Sequence, residues 1–220
     1  MSSSNSHISD PAKFIFGLYH VPYAEVPRRM NMAHRSGITR FDTAQLYGNE
    51  SLCAESSNSD DMITTKLYAA NTTDQTYKLI KRSLTRFGSK RINTMLLHRP
   101  MPNECWNALT SRADQFDTIG VSNYDINGLQ ILLDYCETKQ IRQPDVHQIE
   151  VHPFVDCDPM IQFCRQHNIQ VQGHTVLAQC KFLNYGPLVH MAQKYAVTPA
   201  KILVSWAYAK PIGVCVSTGS

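Results

Sequence analysis

A parallel (β/α)8 barrel is the fold class the sequence predicts, and three observations carry that reading. Eight short apolar segments alternate with helical patterns along 220 residues, a length that one barrel domain fills alone. No Gly-rich dinucleotide fingerprint follows any of the eight segments, which disfavours an open doubly wound sheet. Three successive segments end in Asp42, Lys66 and His98, and in a parallel barrel such ends share the rim where active sites sit.

The first strand is expected at Lys13 to Tyr19, where Phe14, Ile15 and Phe16 precede Gly17, a residue that lets backbone approach closely. A helix within Pro22 to Arg35 starts near Pro27 and is stopped by Gly37. The second strand, Thr39 to Phe41, breaks at Asp42 into a polar loop carrying Tyr47, after which Leu52 to Glu55 makes only a stub of helix. Met62 to Lys66 is the third strand. Thr73 to Phe87 has helical periodicity, with Thr73 as cap, a stripe of Tyr77, Ile80, Leu84 and Phe87, and Gly88 as the stop. The fourth strand, Thr94 to His98, precedes a short helix at Glu104 to Ala113 with Trp106 and Leu109 inward. Phe116 to Val121 is the fifth strand, and Asp125 caps a helix with Leu129, Leu132, Leu133 and Cys136 on one face. Asp145 to Val151 is the sixth strand. Asp158 and Pro159 open a helix carrying Met160, Phe163 and Cys164, and Ile169 to Val176 is the seventh strand. Thr198 and Pro199 start a last helix that buries Ile202, Leu203 and Trp206, before an eighth strand at Gly213 to Val216. The barrel is thus expected to stop after strand eight, without the helix that would follow it.

Composition narrows the function classes. Hydrophobic residues at 43% and charged residues at 18% describe a globular chain, and a net charge of +3 is too small to imply nucleic acid. Seven cysteines, odd in number and never in a C-x-x-C pair, suggest neither a disulfide framework nor a zinc site, so a reducing, cytoplasmic setting is expected. Residues 1–12 read as a flexible arm without a signal-peptide core, 13–220 as a single barrel domain, and no apolar run approaches a membrane span.

Taken singly, an Asp closing a strand caps the next element, a Lys is solvated and a His is a satisfied core residue. Taken together and in order, the residues resemble the aldo-keto reductase family. The matching pieces are Gly-Ile-Thr-Arg-Phe-Asp-Thr-Ala at 37 to 44, Leu-Tyr-Gly-Asn-Glu at 46 to 50, Thr-Thr-Lys-Leu at 64 to 67 and Leu-Leu-His-Arg-Pro at 96 to 100. Ile-Gly-Val-Ser-Asn-Tyr at 119 to 124 and Gln-Ile-Glu-Val-His-Pro at 148 to 153 continue the match in the family's order. The resemblance implies NAD(P)H-dependent reduction of aldehydes or ketones to alcohols, with NADPH as cofactor and NADH as the alternative. It implies Tyr47 as proton donor, Lys66 beside it, Asp42 holding Lys66 by an ion pair, and His98 orienting the carbonyl. A phenol has an ordinary pKa near ~10, and a neighbouring ammonium is expected to lower it. The resemblance also places Ser122, Asn123 and Gln148 on the nicotinamide carboxamide. Gln148, Glu150 and His152 alternate on one strand face and with His98 suggest a metal site, but the family pattern includes them without a metal, and none is expected.

Three departures from the family pattern qualify the expectation. His174 stands where an aromatic residue usually stacks on the nicotinamide. Val216 replaces the lysine of I-P-K-S, so the grip on a 2′-phosphate is weakened, leaving Ser217 and Thr218 to touch the pyrophosphate or ribose. Each lost charge-assisted bond to phosphate is worth on the order of 1.5–3 kcal/mol. The final helix and C-terminal loop are missing, so strand eight is expected to expose apolar surface that the N-terminal arm, a second copy of the chain or a partner protein would cover. Two functions follow: a carbonyl reductase with an open, undiscriminating pocket, or a catalytically weak or inactive binding or regulatory protein on the same scaffold.

Overall fold

The computed structural model describes residues 13–217; the expected arm at 1–12, and Thr218, lie outside the described residues. The strands are β1 (Phe14–Gly17), β2 (Arg40–Asp42), β3 (Met62–Leu67), β4 (Thr94–Leu97), β5 (Thr118–Ser122), β6 (Val146–Glu150), β7 (Gln170–His174) and β8 (Gly213–Ser217). They pair in chain order, all parallel, and β8 closes the barrel on β1 with Phe16 beside Val216. One rim therefore collects Gly17, Asp42, Lys66, His98, Ser122, Glu150, His174 and Ser217 at or just past the strand ends.

Strand alternation divides the interior from the outer face. Phe41, Ile63, Met95, Leu97, Ile119, Val121 and Ile149 belong to the main hydrophobic core, which lies between the barrel and its helices. The alternate positions fill the barrel itself and are partly polar: Asp42, Lys66, Gln148 and Gln172 are all buried there. Gly120 is required by the close approach of β5 and β6, since a Cβ on it would sit 2.2 Å from the Val146 carbonyl oxygen.

Helices α1 (Val26–Arg35), α2 (Glu50–Ser56), α3 (Thr73–Phe87), α4 (Asn103–Thr110), α5 (Ile126–Lys139) and α6 (Asp158–Gln166) cross over between successive strands. The cap of α3 is Thr72, one residue before the expected Thr73, because Thr72 is extended and its hydroxyl accepts from the Gln75 amide. The buried face of α3 is Thr76, Ile80, Ser83 and Phe87, with Tyr77 and Leu84 flanking it half-buried. Similarly α6 buries Ile161 and Cys164, while Met160 and Phe163 flank. Asp125 caps α5 as expected, accepting from the Gly128 amide at 2.7 Å.

Two helices, α7 (Gly186–Lys194) and α8 (Pro199–Tyr208), lie between β7 and β8. The first was not expected. Its signal is Pro187 in the first turn with Leu188 and Ala192 buried at a spacing of one turn. In α8, Leu203 and Ala207 are buried, whereas Ile202 and Trp206 are only half-buried, and the Lys210 ammonium lies 4.4 Å from the Trp206 ring centroid. Beside it Val214 is fully buried, Val216 is half-buried, and Phe14 stacks on Tyr208 at 5.3 Å. Among the described residues, the apolar exposure expected along β8 is confined to such half-covered side chains. All seven cysteines are free, and no described helix is long and apolar enough to cross a membrane.

Candidate active site

Lys66 is the centre of the site. Its side chain is 1% exposed inside the barrel, where an ammonium persists only if its three protons are all met. They are: Nζ donates to Asp42 Oδ1, to the Thr43 carbonyl at 3.1 Å and to the Tyr47 hydroxyl at 3.2 Å. The second Asp42 oxygen accepts from Gln148 Nε2 at 2.7 Å, and that nitrogen also reaches Gln172 Oε1 at 3.1 Å. The Asp42 charge on β2 is thus held from across the barrel by the Gln148 amide on β6, itself bonded to Gln172 on β7. His98 completes the set, its ring 5.7 Å from that of Tyr47 and edge-on to it. The structure therefore brings Asp42, Tyr47, Lys66 and His98 together.

Protonation states follow from burial. Burial pushes the Tyr47 phenol up to about 12, and the Asp42 charge adds to this. The Lys66 ammonium acts the other way, as expected, but does not win, so the expected lowering of the phenol is corrected: it is protonated throughout the neutral range. For Lys66, burial alone favours the neutral amine, yet Asp42 and Tyr47 more than offset it and the net shift is upward. Burial, with Lys66 second, drives His98 down to about 3, so its ring is neutral. His98 Nδ1 is buried without a partner, and an orphan acceptor is tolerated better than an orphan donor. The proton is accordingly assigned to Nε2 of His98, a residue that lines the cleft.

The Tyr47 loop is fixed by buried hydrogen bonds. Residues Gln45–Tyr47 form a single tight helical turn that ends at Gly48 in the left-handed region (φ 72°). Asn49 accepts from the Thr43 hydroxyl and donates to the Leu18 carbonyl at 3.0 Å. Glu50, fully buried, accepts from Thr65, Ser83 and Arg86 at 2.7–2.8 Å. Thr65 is the outward neighbour of Lys66, so Glu50 clamps the loop bearing Tyr47 to the strand bearing its partner.

Of the expected cofactor residues, Ser122, Asn123, His174 and Ser217 line the cleft, whereas Gln148 is buried beneath it with its amide nitrogen donating to Asp42 and Gln172. Ser122 donates to the Gln148 carbonyl at 2.9 Å and keeps its oxygen lone pairs. Asn123, at φ 62°, donates one N–H to the His98 carbonyl and accepts from His174 Nε2, both at 2.9 Å, keeping a second N–H. Burial holds His174 at about 4, hence neutral, and its Nδ1 accepts from Thr175 at 2.8 Å. His174 thus orients Asn123 as well as presenting its ring to the cleft. The remaining capacities of Ser122 and Asn123 pair an acceptor with a donor, which matches a carboxamide. Ser217 lines the same cleft and donates to the Tyr19 carbonyl at 2.6 Å. Val216 alternates away from the cleft between Cys215 and Ser217, both of which line it.

The cleft measures ≈ 280 Å³ and is also lined by Glu150, weighed above only as a metal ligand, and by Tyr19, Leu46 and Gln179, which sequence reasoning did not single out as site residues. Tyr19 is 44% exposed with its ring 4.9 Å from that of Tyr47, and it carries no motif that marks it. Gln172 was equally missed, although its spacing of two from His174 on β7 places both inward. Glu150 accepts from His152 at 2.9 Å, and among the described residues no group of three or more His, Cys, Asp or Glu converges to hold a metal. A larger depression of ≈ 530 Å³ lies at the opposite end of the barrel, around Lys13, Arg165 and Gly213. It is remote from the four clustered ionisable groups, and the smaller cleft is the one with the chemistry.

Known proteins place this geometry. The model of the aldo/keto reductase family matches residues 14–220. An uncharacterized oxidoreductase of Schizosaccharomyces pombe is 30% identical over 212 residues, covering 89% of this chain and 74% of that protein. An aldehyde reductase of Saccharomyces cerevisiae is 26% identical over 216 residues, covering 80% and 68%. Among solved structures, an aldo/keto reductase from Brucella melitensis superposes with a TM-score of 0.84 at 26% identity, over 94% of this chain and 84% of that one. A Gox0644 mutant in complex with NADPH gives 0.85 at 25% identity, over 94% and 79%.

Proposed function

The chain belongs to the aldo/keto reductase family and is an NAD(P)H-dependent oxidoreductase, and from that premise we propose that it reduces aldehydes or ketones to alcohols with Tyr47 as proton donor. The observation that carries the assignment is the three-way grip of Lys66 on Asp42, Thr43 and the Tyr47 hydroxyl. The reduced nicotinamide, NADPH in this reading, supplies the hydride that adds to the carbonyl carbon. Every other part falls to the chain's own groups.

The phenol, protonated at rest, gives its proton to the carbonyl oxygen as negative charge develops there. The phenolate left behind is stabilised by the Lys66 ammonium, which is already aimed at that oxygen and needs no rearrangement. Asp42 keeps Lys66 charged and in register. Neutral His98 donates from Nε2 to the carbonyl oxygen and fixes the face it presents. Ser122, Asn123 and Gln148 hold the carboxamide, His174 steadies Asn123, and Ser217 meets the nucleotide. With Val216 at the strand-eight position, preference for NADPH over NADH is weak. We place residues 13–220 in one domain, with a second copy or a protein partner covering the β8 flank.

The test is oxidation of NADPH by the purified protein across a panel of aldehydes, with the alcohol identified as product. A folded protein that binds neither NADPH nor NADH in a calorimetric titration overturns the proposal.

A further inference from the structure

Beyond His98, just outside the residues that line the cleft, the rim is built in a way the reaction itself does not demand. Tyr68, at the end of β3, packs edge-on to His98 at 6.0 Å and is 38% exposed. Over its ring lies the guanidinium of Arg99, 4.8 Å from the centroid. Arg99 is exposed, follows His98 directly, and has no carboxylate partner among the described residues. Its charge is felt at His98, where it adds to the forces that keep the ring neutral. The β4 end that carries it is anchored, since the His98 carbonyl accepts from Asn123.

The rings of Tyr19, Tyr47, His98 and Tyr68 thus form a continuous series, with an uncompensated cation stacked at its far end. On the near side Leu46, 49% exposed, adds apolar surface. The carboxylate that shares the cleft, Glu150, is engaged by His152 and stands on β6, away from this part of the rim. A guanidinium held over an aromatic face is preorganised, and it carries its N–H groups in the fork that a carboxylate matches.

We propose that Arg99 and Tyr68 form an anion subsite that selects carbonyl substrates bearing a carboxylate, separated from the aldehyde or ketone carbon by an apolar spacer about one aromatic ring long. The spacer lies against Leu46 and Tyr68, the carbonyl oxygen meets Tyr47 and His98, and the carboxylate meets Arg99. This rests on the reductase reading for the carbonyl end, but the anion subsite is defined by Arg99 alone and is measurable without turnover.

The substrates to compare are para-carboxybenzaldehyde and its neutral analogue of nearly the same shape, methyl para-formylbenzoate. The quantity read is the ratio of their kcat/KM values in the wild type, in Arg99→Gln and in Arg99→Lys. The expected ratio is roughly tenfold in favour of the carboxylate in the wild type, about unity in the glutamine variant, and intermediate with lysine, which keeps the charge but not the fork. In parallel, binding of the non-reducible para-(hydroxymethyl)benzoate and its methyl ester is followed by NMR titration of the same three proteins. A ratio that is the same in wild type and glutamine variant, with the ester well reduced, overturns the subsite and leaves the reductase standing. Arg99-dependent binding of the carboxylate without turnover of either aldehyde supports the subsite and overturns the reductase. Neither turnover nor Arg99-dependent binding overturns both.

Discussion

Replacing Lys66 by methionine tests the core of the site, because among the described residues the ammonium is the only cation bonded to the nearly sealed carboxylate of Asp42. Asp42 is 3% exposed, and its remaining partner would be the neutral amide of Gln148 at 2.7 Å. Removing one partner of a buried pair leaves an uncompensated charge and costs about 3–5 kcal/mol. Against a total stability of roughly 5–15 kcal/mol, that is a large fraction of the whole. The Thr43 carbonyl and the Tyr47 hydroxyl lose a donor as well, so Lys66→Met is expected at the upper end of the range. The second substitution, Asp42→Asn, removes the stranded charge while still accepting from Gln148. In the double variant most of the lost stability should return, whereas carbonyl reduction should not, since the phenolate that follows proton transfer has lost its ammonium. Urea unfolding of the wild type, both single variants and the double variant, followed by fluorescence of the fully buried Trp106, gives the coupling energy directly. If Lys66→Met is as stable as the wild type, or if Asp42→Asn deepens its loss, the ion pair does not hold the site together and the reasoning fails.

Acid stability gives an independent check on burial. Folding holds His147 at about 3 and His174 at about 4, below the ordinary 6.5. A depressed pKa contributes stability above the unfolded value that is lost as pH falls towards the folded one, so each costs about 2 kcal/mol between pH ~7.5 and ~5. His147→Gln removes one titration and keeps an acceptor for the Tyr124 amide, 3.2 Å away, so the acid loss should shrink by about 2 kcal/mol; equal losses in both proteins would contradict this. For cofactor choice, Val216→Lys should strengthen NADPH binding more than NADH binding in calorimetry. An equal change for both nucleotides would mean that β8 does not meet the 2′-phosphate.

Most of the barrel is legible in the sequence because its determinants are local. The strand segments read from alternating or continuous apolar runs end within a few residues of the observed strands, and Asp125 and Gly88 punctuate α5 and α3 where their chemistry requires. The helix α7 is not legible in the same way: its buried face is only Leu188 and Ala192, too short a stripe to stand out from the loop before it. That loop carries Thr175, Ala178, Gln179 and Cys180 in the left-handed region, conformations that none of these residue types announces. At the site, Asp42, Tyr47, Lys66 and His98 were readable as a set because each sits at or behind a strand end. The bond from Gln148 to Asp42, with Gln172 accepting from the same amide nitrogen, joins strands distant in the chain, and no spacing rule conveys it. The direction of the Tyr47 shift was misread for a related reason. The ammonium is visible in sequence, but the burial that outweighs it is a property of the closed rim.

The role of Tyr47 is the claim on which the rest depends, and Tyr47→Phe tests it most directly. The substitution removes one hydroxyl that meets Lys66 and leaves the ring between Tyr19 and His98 in place. Steady-state reduction of an aldehyde should be measured beside calorimetric binding of NADPH for wild type and variant. The expected result is a kcat lower by a factor on the order of 10²–10⁴ with nearly unchanged nucleotide affinity, the size attributed to a positioned general acid. Wild-type turnover in the variant would contradict the account, whatever its affinity for the nucleotide.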